Sequence, residues 1–238
     1  MRPSVLAIAL CVAAAYADPA VALDQSRDAG AAGVDRGLVV LCRKALCLPL
    51  EGTQVIDNAA VIVEDGKIVR VVPRSSLDLE ALVATHDILD RSDDWVSPGL
   101  IDLHSHVAGR SFFTNDLNDM VYLTNPGIRT WTSVDPENSD FVVGAAAGVT
   151  SVLYIPGSGT NIGGQGVMMK TGRGTYDESV IRDPGSLKIA QGDNPTRWGF
   201  RMGRITMAWN LKRVIREGVS YAKTWEAHER DGGPRPRR

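Results

Sequence analysis

Two histidines separated by a single residue carry the strongest chemical signal in this sequence. His104 and His106 follow the apolar stretch 100–103, which comes directly after a Pro-Gly turn. Such a stretch predicts a buried β-strand, and because side chains alternate along a strand, Asp102, His104 and His106 share one face. Two imidazoles on one face can bind one metal ion at about 2.0–2.1 Å per nitrogen. The spacing therefore predicts a metal site at the end of a strand; an ordinary pair of polar residues is the alternative.

The segment before this strand predicts a small sheet domain over residues 37–97. An Asp-Gly pair at 65–66 separates two apolar runs, and this dipeptide between alternating apolar residues is a strong hairpin signal. The β-like runs lie at 38–42, 55–56, 59–63 and 68–72.

The segment after His106 predicts a strand–loop–helix–strand unit of a parallel α/β fold. An irregular stretch extends to about residue 132, and a helix then opens with Asp135 as its N-cap and Pro136 in its first position. We expect this helix to stop near Gly148. The apolar run 149–155 is typical of a parallel strand covered on both faces.

The remaining segment contains a glycine-rich loop and a long helix. Gly157-Ser158-Gly159 invites comparison with nucleotide-binding loops, but the run 163–171 behind it predicts strand or loop rather than the helix that a dinucleotide site needs. A final helix is expected to end at 231–234, with an apolar stripe that packs into a core. The stripe consists of Leu211, Ile215, Val219, Ala222 and Trp225.

Composition and charge bound the class of protein. The chain has 238 residues, of which 44% are apolar and 23% charged, as in ordinary globular proteins. A net charge of −2 provides no attraction for nucleic acid or an anionic membrane, and the basic tail 235–238 is expected to be a solvated chain end.

The first residues predict export. Arg2 precedes the apolar run 5–15, which is too short to span a bilayer, and a small-x-small pattern then predicts cleavage after Ala17. We therefore expect a signal peptide at 1–17, a linker at 18–36, no transmembrane segment after cleavage, and a secreted or periplasmic location. In an oxidising compartment Cys42 and Cys47 either form a disulfide or remain buried thiols, and the sequence leaves both open.

Four motifs resemble the metal-dependent amidohydrolase superfamily, and its imidazolonepropionase-like branch in particular. They occur in the family's order and cover roughly residues 37–230. They are AVIVEDGKIVRVV at 60–72, VSPGLIDLHSH at 96–106, AGVTSVLYIPGS with GGQGV over 147–167, and GSLKIAQGDNP at 185–195.

The resemblance implies an α/β fold in which a small N-terminal β-sandwich (37–97) precedes a partial (β/α)₈ TIM-type barrel (98–238). The first barrel strand is expected at 100–104. The implied activity is hydrolysis of non-peptide carbon–nitrogen bonds, in cyclic amides, by a metal-activated water acting on a small-molecule substrate. A prolidase-like dipeptidase is the nearest alternative, and a non-catalytic remnant that binds a ligand or partner is another.

The same resemblance implies the metal ligands. His104 and His106 match the family's metal motif, so they are expected to hold one or two divalent ions, zinc above all. The acidic position of the last motif, usually Glu in the relatives, is Asp193 here, and the shorter side chain puts its role as a ligand in doubt. Alternation with Leu187 and Ile189 also predicts that Lys188 can face inward, where a lysine can be carboxylated to bridge two metals; a solvated or structural lysine is the alternative.

Further polar residues are expected to support this centre. Asp102 is expected to orient the ligands by hydrogen bonding. Ser158 and Gln165, in glycine-bracketed loops, are expected to approach the substrate, with plain turn chemistry as the alternative. His86 and His228 are expected to be surface residues.

The length predicts an incomplete enzyme. A (β/α)₈ barrel takes about 250 residues, and only 141 follow from Pro98 onward, so we expect the N-terminal half, with the general base on later strands. We accordingly expect the chain alone to be inactive and poorly stable, and either to self-associate as a homo-oligomer or to depend on a complementary C-terminal half.

Overall fold

The computed structural model describes residues 10–11, 36–49, 51–109, 118–172, 174–198 and 200–237. These residues form two compact units: the first extends to Ile101 and includes Val143–Thr150, and the second contains Asp102–Val142 and the chain from Ser151 onward. The predicted signal peptide and linker lie outside the described residues except for 10–11 and Arg36, so both stay predictions. Within the described ranges no helix has the length and apolar character needed to cross a membrane.

The first unit contains a five-stranded sheet with the order β1-β5-β2-β3-β4. The central strand β2 runs antiparallel to β3 and parallel to β5, and β3 and β4 form an antiparallel hairpin. The predicted β-like runs all fall within β2, β3 and β4. The strands are β1 (Leu10–Cys11), β2 (Gly37–Cys47), β3 (Gln54–Glu64), β4 (Lys67–Pro73) and β5 (His86–Pro98).

The turn between β3 and β4 confirms the predicted hairpin. Asp65 and Gly66 have φ angles of 50° and 69°. Two consecutive positive φ angles are the geometry of a type I′ turn, whose twist matches that of the flanking strands. The local sequence therefore fixed both the turn and the pairing of its strands.

The core of this unit lies on both faces of one sheet. On one face, Val39 and Ile62 pack against leucines in and beside helix α1 (Leu79–Val83), which Asp78 caps by accepting the backbone N–H of Ala81. On the other face, Val40 and Val61 belong to a cluster made of residues from the sheet itself. Among the described residues these strands form a single sheet, so a two-sheet sandwich is not confirmed.

The prediction that His86 lies at the surface is wrong. The residue is only 8% exposed, and its Nδ1 lies 2.9 Å from the Thr85 hydroxyl. Gly37 makes the burial possible, because a Cβ there would lie 2.3 Å from Cδ2 of the imidazole. The glycine thus lets the ring pack against the start of β2.

The two cysteines of β2 are free thiols in the structure. Cys42 is buried and Cys47 is half-buried, and burial raises the pKa of both thiols. Of the two alternatives that the sequence left open, a disulfide or free thiols, the structure contains the free thiols.

A second sheet has the order β6-β7-β8-β9. β6 and β7 run parallel, as the hydrogen bonds at their two ends show. The N–H of Leu100 donates to the carbonyl of Gly148, and the N–H of Ile155 donates to the carbonyl of Ser105. β8 is antiparallel to both β7 and β9. The strands are β6 (Leu100–Ser105), β7 (Val149–Tyr154), β8 (Ile162–Lys170) and β9 (Val180–Ile189).

The two sheets with their helices confirm an α/β fold, whereas a TIM barrel is not confirmed. Only residues 155–161 connect β7 to β8. A parallel crossover needs a dozen or more residues, so a connection this short returns the chain antiparallel. Strand β8 confirms the prediction of strand or loop for residues 163–171.

Helix α2 (Ser139–Ala146) crosses from β6 to β7 but begins later than predicted. Asn138, rather than Asp135, caps it by accepting the N–H of Asp140 at 2.9 Å. Asp135 instead accepts the N–H of Glu137 at 3.2 Å in a preceding turn. The predicted stop is confirmed, since Gly148 follows the helix with a φ of 86°.

The predicted burial of residues 100–103 is wrong, although the strand itself is confirmed. Leu100, Ile101 and Leu103 are 64%, 57% and 63% exposed. β6 is an edge strand of its sheet, and no described element covers these side chains on either face. Apolar sequence thus specified the strand, but burial depends on a partner surface.

The last segment contains α3 (Tyr176–Ser179), α4 (Asn194–Arg197) and the long helix α5 (Arg204–Asp231). The predicted end of α5 is confirmed, with Gly232 at a φ of 74°. Its stripe does not form a core among the described residues, because the buried residues of α5 are only Met207 and Asn210. His228, expected at the surface, is half-buried against the ring of Trp225.

An ion pair with a tyrosine connects the loop after β6 to β9. Arg129 binds Asp183 with Nη2 at 2.6 Å, and the hydroxyl of Tyr176 donates to the same carboxylate at 3.0 Å. Burial, followed by the hydrogen bond to Asp183, raises the pKa of Tyr176 to about 12.

We predict that the free energy of unfolding falls as pH rises from about 10 to about 12. In this window the unfolded chain loses the Tyr176 proton while the folded chain retains it, so alkali favours unfolding. Chemical denaturation of the chain and of Tyr176→Phe at several pH values measures this. The pH dependence should be weaker in the variant; identical slopes would contradict the assignment.

Candidate metal centre

The end of β6 places the two predicted histidines together. Their ring centroids are 5.5 Å apart and the ring planes are perpendicular. Two imidazoles sharing one ion have centres at most about 6.4 Å apart, because each nitrogen lies about 2.1 Å from the ion and about 1.1 Å from its ring centre. The separation of His104 and His106 therefore permits both to reach one ion.

A backbone carbonyl orients His106. Nδ1 of the imidazole donates to the oxygen of Ile155 at 2.9 Å, and because a carbonyl only accepts, this contact places the proton on Nδ1. The Nε2 lone pair is thereby left available. The N–H of Ile155 also donates to Ser105 at 3.1 Å, so the β6–β7 pairing itself determines the ring's position.

Burial shifts His106 toward its neutral form. It lowers the pKa of the imidazole; the hydrogen bond to Ile155 opposes this shift, and the weaker repulsion from Lys188 and His104 adds to it. Neutral imidazole is the form that binds a metal ion.

Lys188 lies against His104, although β6 and β9 are the two outer strands of the sheet. Its Nζ is 3.4 Å from Nε2 of His104, and its side chain is only 7% exposed. Burial lowers the pKa of Lys188, which favours the neutral amine.

Asp102 shares the histidine face but is exposed. Its Oδ1 accepts the backbone N–H of His104 at 2.9 Å. This hydrogen bond is made to the backbone of His104 and not to an imidazole nitrogen. Asp102 therefore holds the strand end from which His104 projects.

The other expected site residues lie apart from this group or carry structural bonds. Asp193 is exposed, with Oδ1 at 3.6 Å from the guanidinium of Arg204. Gln165 donates to the carbonyl of Pro126 at 3.0 Å, and Ser158 is half-buried in the loop after β7. Across the described part of the chain, no three His, Cys, Asp or Glu side chains gather as a potential metal site.

Sequence reasoning missed the carbonyl that orients His106 and a buried polar side chain in the loop after β7. The carbonyl of Ile155 gives no side-chain signal, because any residue at that position provides the same oxygen. Asn161 is fully buried in the loop between β7 and β8. Its signal was an amide within an otherwise glycine-rich and apolar segment, where a buried polar group requires partners.

The chain is similar to a curated amidohydrolase and a curated imidazolonepropionase over part of their length. The amidohydrolase tasK of Hapsidospora irregularis is 30% identical over 179 residues, covering 68% of this chain and 17% of that protein. The imidazolonepropionase of Brucella anthropi is 40% identical over 57 residues, or 24% of this chain and 14% of the relative. No protein-family model matches the chain.

A solved structure matches a larger part of the fold. The amidohydrolase from Thermotoga maritima superposes with a TM-score of 0.69 and 25% identity, covering 84% of this chain and 52% of that one. The chain belongs to the amidohydrolase superfamily. It spans about half the length of this solved member and a smaller share of the two curated ones.

We predict that Lys188 depresses the pKa of His106 in this amidohydrolase-superfamily chain. In metal-free protein the imidazole should titrate below its ordinary range, and Lys188→Met should raise its pKa because a nearby positive charge is removed. NMR titration of the imidazole resonances measures the shift. Lys212→Met, an exposed lysine on α5, is the control and should leave it unchanged; an unshifted His106 in Lys188→Met would contradict the coupling.

Proposed function

We propose that the chain contributes a metal-binding segment to a hydrolase of non-peptide carbon–nitrogen bonds, with cyclic amides as the substrate class. The grouping of His104, His106 and Lys188 at one end of the second sheet carries this proposal. The imidazolonepropionase and amidohydrolase relatives support the reaction class. The chain covers only part of each of these relatives, so the activity of the whole protein belongs to this proposal.

The donor chemistry of the group fits a divalent ion, zinc by preference. The two histidines present nitrogen ligands, and the burial around His106 favours the neutral, ligand-competent ring. An ion bound there would supply Lewis acidity that polarises a substrate carbonyl. Ile155 would hold His106 in orientation, and Asp102 would hold the backbone of His104.

Lys188 is proposed as the third member of the centre. A buried ammonium beside His104 would repel a divalent cation, whereas the neutral amine that burial favours can react with carbon dioxide and release a proton. The resulting carbamate has two oxygens that share one negative charge, and we propose that they could bridge two ions. Intact-protein mass measurement under carbon dioxide tests this modification.

A non-catalytic, ligand-binding role is the second candidate. It is favoured by the finding that no carboxylate of the described residues joins the two histidines in a group of three ligands. A centre with two protein ligands leaves a tetrahedral ion incompletely held.

The hydrolase also needs a catalytic base, and the described residues offer none to name. We propose that a partner chain or a complementary barrel half provides it.

We predict that the purified chain binds a divalent metal through the histidine pair. After dialysis against zinc, wild type should retain stoichiometric metal, while His104→Ala and His106→Ala should each weaken the affinity at least about tenfold. Elemental analysis and competition with a chelator measure the loss.

His228→Ala is the matched control for this experiment, since His228 lies on α5 beside Trp225. Its metal content should equal that of wild type. Metal-free wild-type protein, or equal loss in all three variants, would refute the metal centre and favour the non-catalytic candidate.

We also predict that the exposed edge strand β6 makes the chain self-associate. Unpaired strand edges with exposed apolar side chains recruit further strands. Leu103→Lys should therefore increase the monomer fraction in sedimentation at several protein concentrations. Leu48→Lys, a loop leucine with a similar exposure of 61%, is the control; an equal effect of both would show that β6 is not the contact.

A further inference from the structure

A chain of buried side-chain amides lies next to the candidate metal centre. Asn161, between β7 and β8, and Asn210, on α5, are 0% and 1% exposed. Nδ2 of Asn210 donates to Oδ1 of Asn161 at 2.7 Å, and Nδ2 of Asn161 donates to the carbonyl of Ala190 at 2.9 Å. At the other end, Nη2 of Arg213 donates to Oδ1 of Asn210 at 3.0 Å. We call these four residues the amide relay.

The direction of the relay is fixed at both of its ends. The Ala190 carbonyl can only accept, so Asn161 must turn its NH₂ group toward it and its oxygen toward Asn210. The Arg213 guanidinium can only donate, so Asn210 must turn its oxygen toward it and its NH₂ group toward Asn161. Both ends therefore require the same amide orientations.

Asn210 donates both of its side-chain amide hydrogens in this arrangement. Its second amide hydrogen is donated to the hydroxyl of Thr124 at 2.8 Å. One side chain thus connects α5, the loop that contains Thr124 and the loop that contains Asn161. A buried network with all its members paired rigidifies the segments it joins.

Those segments carry the groups of the candidate centre. Ala190 follows Lys188 by two residues, and its N–H donates back to the carbonyl of Asn161 at 2.9 Å. The loop that contains Asn161 begins directly after β7, where Ile155 binds His106. Displacement of Asn161 would therefore disturb the chain on both sides of the histidine pair.

We propose that Asn210 is a positioning residue of the metal centre, which acts through Asn161 to hold the ends of β7 and β9 in place beside His106 and His104. This inference rests on the proposed metal-binding function. It adds the role of α5, none of whose residues belongs to the histidine–lysine group. The role predicts an effect on metal affinity and a local loosening that general packing would not produce.

The variant Asn210→Asp separates positioning from packing. Asp has nearly the same shape and can still accept from Arg213, so the helix keeps its surroundings. The carboxylate cannot donate, however, and its oxygen would face Oδ1 of Asn161. Met207→Ala is the control, because it removes a fully buried side chain one turn earlier on α5 without changing the relay.

Hydrogen exchange in metal-free protein is the first measurement. In Asn210→Asp the Ala190 amide should exchange about 10- to 100-fold faster relative to the Met169 amide, which lies in the buried strand β8. In Met207→Ala that ratio should stay as in wild type. An equal change in both variants would overturn the positioning role.

Binding of Co²⁺ alone is the second measurement. Wild type and Met207→Ala should bind it alike, and Asn210→Asp should bind it about tenfold more weakly. Should wild type bind but Asn210→Asp bind equally well, the positioning role fails and the metal centre stands. Should wild type bind no Co²⁺, the proposed function fails and the role of Asn210 fails with it.

Discussion

The parallel pairing of β6 with β7 is the interaction on which the candidate centre depends. The Ser105 carbonyl accepts from Ile155, and the carbonyl of Ile155 then reaches the ring of His106. Since side chains alternate along a strand, a slip of one residue in this pairing would turn His104 and His106 to the opposite face. The hydrogen bonds of the sheet thus determine which direction the ligands face and which tautomer His106 adopts.

Burial shifts two bases of the centre toward their neutral forms. Lys188 and His106 are both bases, and the pKa of each is lowered chiefly by loss of solvent. Their neutral forms present lone pairs, whereas their protonated forms would repel one another and any cation. Burial thus shifts Lys188 toward the neutral amine, which is the form that can take part in metal chemistry.

Much of the fold followed from local sequence. The Asp65-Gly66 turn, the strands on either side of it and the end of α2 at Gly148 depend on φ preferences and on side-chain alternation over a few residues. The start of α2 was misplaced because two residues that can cap a helix, Asp135 and Asn138, lie close together, and which one caps depends on where the chain enters the helix. The barrel expectation is unconfirmed because the short connection after β7 returns as a hairpin, which a family motif does not specify.

The sequence by itself determined that His104 and His106 lie on one strand, on one face, at a spacing that suits a metal ion. The tertiary structure decided what surrounds them. Lys188 meets His104 across 84 residues of chain, and Asn161 meets Asn210 across 49. Only the tertiary structure left residues 100–103 exposed, although their composition is that of a core. Periodicity and spacing describe the geometry of one element, whereas burial and distant contacts depend on which elements come to lie beside it.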